Sequence, residues 1–177
     1  MTDFFYLHWH EDELLGVGYA PDDPALDRIL AKPKRVVNWR PIAFVLKDGA
    51  FADYQANNLG LRLCSKKLMS IFEHTRAEVD DLQWLAATIE TENGESRRYV
   101  VLHVPTTYEV LDKDRTIFAG EDFVVKACLD ESAVREHCVL GLPGCVHTLI
   151  VATEVKEAIE LAECTGVEFS RVPTNRS

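Results

Sequence analysis

The sequence predicts an α+β fold, a mostly antiparallel sheet with two main helices packed on it, in one domain spanning residues 1–177. Three observations carry this expectation. Runs with period-two alternation or continuous β-rich character recur between Phe4 and Val172. Two segments alone carry convincing helical spacing, and strands do not alternate with helices as a doubly wound sheet requires. The length of 177 residues suits a single domain, and 47% hydrophobic with 27% charged residues supports a packed core and argues against disorder.

Phe4 to Trp9 alternates with two substantial sides, Phe5, Leu7 and Trp9 against Phe4, Tyr6 and His8. Pro21, Pro24, Pro33 and Pro41 then interrupt regular structure, which predicts a loop over 20–41 carrying one short helix at 25–31. Ile42 to Leu46 reads as a buried strand. Leu82 to Val104 reads as a hairpin, with Asn93-Gly94 supplying both positive-φ residues of a type I′ turn. That turn would pair Glu90 with Arg97, Ala87 with Val100, Leu85 with Leu102 and Trp84 with His103.

The first helix follows Ser65 as N-cap, with Leu68, Ile71 and Phe72 on one side. Phe123, Val125, Ala127 and Leu129 alternate with Val124, Lys126 and Cys128, and Val146 to Ala152 forms a second apolar run after a Pro143-Gly144 type II turn. The second helix follows Thr153, with Val155, Ala158, Ile159 and Ala162 inward. Gly166 stands as its αL stop before a last strand, Val167 to Val172.

Charge sets the expected partners. Lys and Arg number 19 against 29 Asp and Glu, a net charge of -10, which repels nucleic acid and anionic lipid and favours a basic protein. Residues 1–30 concentrate seven acids against Arg28, and Lys32, Lys34, Arg35 and Arg40 follow as a small basic patch able to fold back on them. Met1 to Trp9 lacks a cationic n-region, and no apolar run approaches the roughly 18 residues of a membrane helix. These features predict a cytoplasmic protein without a membrane partner. Five scattered cysteines, Cys64, Cys128, Cys138, Cys145 and Cys164, read as reduced thiols.

His8 and His10 leave one face of a strand, and with a carboxylate among Glu11 to Glu13 that spacing permits a zinc site. Cys145 and His147 form only an isolated C-x-H, so no second ligand cluster supports it, and a packed strand end is the stronger reading. His137-Cys138 places a base beside a thiol, but neighbours on an extended chain point to opposite faces. Gly16, Gly18 and Ala20 open like a dinucleotide fingerprint that Pro21-Asp22-Asp23-Pro24 breaks. Walker, G-x-S-x-G and H-E-x-x-H motifs are absent, so neither an enzyme nor a cofactor is expected. Glu11, Asp12, Glu13, Asp22, Asp23 and Asp27 read either as a solvated face or, with Trp39 as an aromatic anchor, as an electrostatic docking surface.

A set of residues then points to a family. Trp39 with Pro41, Asp53, Asn57 or Asn58 with Gly60, and Ser65 opening a Lys-Lys-Leu helix come first. Tyr99, Leu111-Asp112, Leu149-Ile150-Val151, Lys156, Ala158 and Thr165-Gly166-Val167-Glu168-Phe169 follow. The chain resembles the Myxococcus-type immunity-protein family of bacterial polymorphic toxin systems over a core at 39–172, with 1–38 an acidic, proline-punctuated extension. The resemblance implies a protein that binds a cognate toxin and covers its active site, and it carries no catalytic residue. The acidity suggests a toxin with a basic active-site surface. A small metal-dependent hydrolase built on His8 and His10, and an adaptor for a non-toxin partner, are the rival readings.

Overall fold

A computed structural model describes residues 2–23, 26, 30, 34–120, 123–142 and 145–175, the side chains of Phe123, Cys145 and Val146 excepted. The expected helix at 25–31, apart from Leu26 and Leu30, lies outside these, as do Asp27, Lys32 and the Pro143-Gly144 turn. The content is mixed α and β with mostly antiparallel pairing. The strands are β1 (Phe4–Trp9), β2 (Val17–Tyr19), β3 (Ile42–Lys47), β4 (Tyr54–Gln55), β5 (Leu63–Ser65), β6 (Gln83–Thr91), β7 (Ser96–His103), β8 (Ile117–Ala119), β9 (Phe123–Lys126), β10 (Val139–Leu142), β11 (Cys145–Ala152) and β12 (Val167–Val172). The helices are α1 (Lys66–Thr75), α2 (Glu131–Val134) and α3 (Thr153–Leu161).

One sheet runs β10-β11-β1-β12 and a second β2-β3-β6-β7-β5-β4, with β8-β9 a separate hairpin. β1 is central in the first sheet, where Leu7 sits between Leu149 of β11 and Phe169 of β12, both strands antiparallel to it. Among the named strands, β3 with β6 is the parallel pair.

Each sheet contributes residues to a core on both of its faces. One core gathers Leu7, Leu149 and Val151 from the first sheet, Cys64 and Leu102 from the second, and Leu68, Phe72, Val155 and Ile159 from α1 and α3. The opposite face of the second sheet packs Phe44, Leu85, Ile89, Tyr99 and Val101 with Ala20, Leu30, Val36 and Trp39 from the proline-rich segment. The opposite face of the first sheet packs Phe4, Leu140 and Ile150 against Val110, Leu129 and Val134. The two sides of β1 thus serve different cores, as its alternation predicts.

Ser65 caps α1 as its sequence position suggests, its Oγ accepting from the Leu68 N–H at 3.2 Å. The end of α3 differs from expectation. Glu163 at φ 51 takes the left-handed position, and Cys164 N–H to Ile159 O with Glu163 N–H to Glu160 O close a Schellman motif. Gly166, at φ 75, instead forms the turn into β12, where a Cβ would lie 2.5 Å from the Tyr54 carbonyl oxygen.

The β6–β7 hairpin forms, in another register. Leu85 faces Val101, Ala87 faces Tyr99, Ile89 faces Arg97 and Glu90 faces Ser96. Only Gly94 of the turn has positive φ, at 84. The Thr91 N–H donates to Glu95 O at 2.8 Å and the Gly94 N–H to Thr91 O at 2.9 Å, so a three-residue loop, Glu92 to Gly94, replaces the two-residue type I′ turn. Arg97 accordingly pairs with Glu95 at 2.8 Å instead of Glu90.

Two other strands depart from expectation. β3 buries Phe44 and Leu46 but exposes Ala43 and Val45, so it is covered on one face. The alternation after Phe123 stops at Lys126, beyond which Ala127, Cys128 and Leu129 are all buried, and the Leu129 N–H and carbonyl bond Pro173 O and the Asn175 N–H. Arg35 of the basic patch pairs with Asp81, ahead of β6.

Candidate partner-binding face

The end of β1 builds an open groove. The His10 N–H bonds Gly166 O at 3.1 Å, tying the strand end to the turn before β12. Asp12 then organises the reversal: its Oδ1 accepts from the Leu14 N–H at 2.8 Å and its carbonyl from the Leu15 N–H at 3.0 Å. Glu11, Asp12 and Glu13 are exposed by this turn, and Leu14 is 76% exposed beside them.

These acids rim a groove of about 750 Å³ whose wall includes Trp9 and Tyr54, with ring centroids 6.3 Å apart. Burial raises the Tyr54 phenol above its ordinary range, so it stays neutral. Gln55, wholly buried, accepts from the Ala52 N–H at 2.9 Å and donates to Gly16 O, which joins β4 to the β1–β2 connection. Trp9 Nε1 is buried without an acceptor among the described residues. The face is a hydrogen-bonded turn and strand end that carry three exposed carboxylates.

The acids that cluster in sequence separate in space. Asp22 and Asp23 line a different groove of about 400 Å³ with Asn58, Gly60 and His147. Reciprocal bonds at 2.9 Å between Ala20 and Asn58 hold that segment against the second sheet. Trp39 is partly buried and donates from Nε1 to Ala86 O at 2.8 Å, which makes it an anchor of its own loop on the sheet.

His8 and His10 both meet β12. His8 Nε2 lies 2.8 Å from Ser170 Oγ, and His10 Nδ1 3.7 Å from Glu168 Oε2. Among the described residues no group of three His, Cys, Asp or Glu side chains is placed to hold a metal ion. His137 and Cys138 precede β10 and both meet Asp80: His137 Nδ1 bonds Asp80 Oδ1 at 2.8 Å, and burial pushes the Cys138 thiol up, with the Asp80 charge adding to it. A raised thiol paired with no base is a poor nucleophile.

Two arrangements had no signal in the sequence. Asp80, fully buried, gathers the N–H groups of Ala77, Cys138 and Val139 at 2.9 to 3.0 Å as well as His137. Lys66, Lys67, Arg97 and Arg98 converge on a third groove, of about 370 Å³, from α1 and β7. Their two doublets stand far apart in the chain, and only the β5–β7 pairing brings them together. Compared with protein-family models and with curated proteins, this chain matches none.

Proposed function

We propose that the protein is a bacterial, cytoplasmic immunity protein that binds a cognate toxin domain and neutralises it by covering its active site. The observation that carries this reading is the groove at the end of β1, where Glu11, Asp12 and Glu13 stand exposed with no cationic partner among the described residues, beside the exposed Leu14. The resemblance of 39–172 to the immunity family supports the same reading, with α1 and α3 packed on the sheets as the scaffold behind the face.

A net charge of -10 accelerates encounter with a basic cleft, and Leu14, exposed next to Glu13 in the chain, offers an apolar contact beside the acids. Occlusion of this kind needs an interface of about 1,200–2,000 Å². Release of the toxin would follow dissociation alone, since no covalent step is involved.

The test captures the partner that the tagged protein retains from the source bacterium's lysate and pairs the purified protein with the toxin domain so identified. Stoichiometric inhibition of that toxin is expected, with association slowed about tenfold or more by Glu11→Lys with Glu13→Lys at low salt and little at high salt. A toxin left fully active by excess protein overturns the reading. Inhibition that ignores both charge reversal and ionic strength overturns the acidic face as the docking surface.

A further inference from the structure

We propose that the groove lined by Lys66, Lys67, Arg97 and Arg98 binds a small phosphorylated ligand. On a chain of net charge -10, four cations from two elements around one concave surface are a local reversal of sign. Two of the four are already held. Lys67 Nζ lies 3.4 Å from Asp53 Oδ2 and 3.2 Å from Glu163 O, and Arg97 stands over the Phe51 ring at 4.1 Å while bonding Glu95.

Lys66 and Arg98 are exposed and have no carboxylate partner among the described residues. They supply the uncompensated charge. Asp53 also lines the groove, but its oxygens already accept from Ser65 Oγ at 2.6 Å, the Thr165 N–H at 3.0 Å and Lys67. The Tyr99 hydroxyl is already engaged, donating to Ala52 O at 2.7 Å. Recognition therefore falls to the ammonium and the guanidinium.

A phosphomonoester carries about -1.5 to -2 charges near neutral pH with three acceptor oxygens, matching two free cations, and the Arg98 fork can engage two of those oxygens. A single carboxylate would leave one cation unmatched. Size is limited by the same electrostatics. The local field acts within a Debye length of about 8 Å at physiological salt, so a single phosphate group meets the two free cations, whereas an extended polyanion meets the remaining negative surface.

The experiment is an amide-resolved NMR titration of the full chain with glycerol 3-phosphate, and in parallel with malonate, a dicarboxylate of similar charge, at constant ionic strength. Saturable shifts at Lys66, Lys67 and Arg98 are expected, with malonate binding about tenfold more weakly. Lys66→Ala with Arg98→Ala should weaken phosphate binding by about tenfold or more while the rest of the spectrum keeps its folded pattern. Absence of saturation at tens of millimolar, equal affinity for malonate, or unchanged binding by the double variant would each overturn the proposal.

Discussion

Asp80 shows how much one side chain can hold. Its carboxylate, wholly buried, accepts from three backbone N–H groups and from His137, and it fastens the end of α1 to the start of β10. Asp80→Ala leaves those donors without an acceptor in a dry site, which should cost about 3–5 kcal/mol by urea denaturation. A loss no larger than that of a surface substitution would contradict this role. His103 gives a pH-dependent counterpart. Burial lowers its pKa, against the opposing effect of the Lys34 carbonyl that accepts from Nε2 at 2.9 Å. In the unfolded chain the imidazole protonates near pH ~6.5, whereas in the fold it stays neutral to lower pH. Stability from this group is therefore complete above that value and declines as pH falls through the window to the folded pKa. The urea midpoint should decline over that window, and His103→Gln should flatten the decline; an unchanged slope would exclude His103. Neither residue was legible as special in the sequence, because an Asp in a loop and a His in a strand look alike whether their partners are solvent or a distant segment. Glu11 to Glu13 were legible as a charged run, but their separation from Asp22 and Asp23 depends on Ala20 being tied to Asn58, a contact with no local signature.

The β6–β7 hairpin, whose elements were legible and whose register was not, shows where pattern reading stops. A slip of one residue normally turns an apolar face to water, and that penalty fixes register. In β7 it carries little information, since Tyr99 and Val101 serve one core while Val100 and Leu102 pack toward another. Either alignment matches apolar partners. The turn decides, and there Gly94 alone adopts positive φ while a Cβ on it would meet nothing within 4 Å. Gly94→Ala should thus cost about 1–2 kcal/mol through backbone strain alone, whereas Asn93→Ala should fall within about 0.5 kcal/mol of the parent. Equal losses at both positions, measured by chemical denaturation, would restore the two-residue turn. β1, β12 and the start of α1 were legible because each has a clear boundary, as with the Ser65 cap. The stop of α3 was not, since a glutamate in the left-handed region takes the place at which glycine is more common.

At the scale of the molecule, the first strand finds its place only through the last. β1 pairs with β11 on one side and β12 on the other, and Phe4 stands between Ala152 and Val172. The core that joins both sheets takes residues from β1, β5, β7, α1, β11 and α3, with Val167 and Phe169 of β12 packed against it. Contacts of such sequence separation require most of the loop-closure entropy to be overcome before apolar burial repays it, which predicts slow, highly cooperative folding. Removing 167–177 would strip β1 of one partner, uncover Leu7 and Trp9, and delete Phe169 from the wall it shares with Lys156. Such a chain is expected to lose the native state of both sheets together, seen as coincident loss of near- and far-ultraviolet dichroism, because one face of each sheet is covered only by the core they share. If the second sheet kept native near-ultraviolet signal from Trp84 and Tyr99 after that truncation, the two sheets would be separable folding units and the single-domain reading would fail. The same coupling bears on the proposed binding. The acidic loop and Trp9 are carried by β1, so the geometry of the candidate face is held by the closing strand, and if that face binds a partner, a β12 substitution such as Phe169→Ala should weaken binding by loosening β1, although Phe169 does not line the groove.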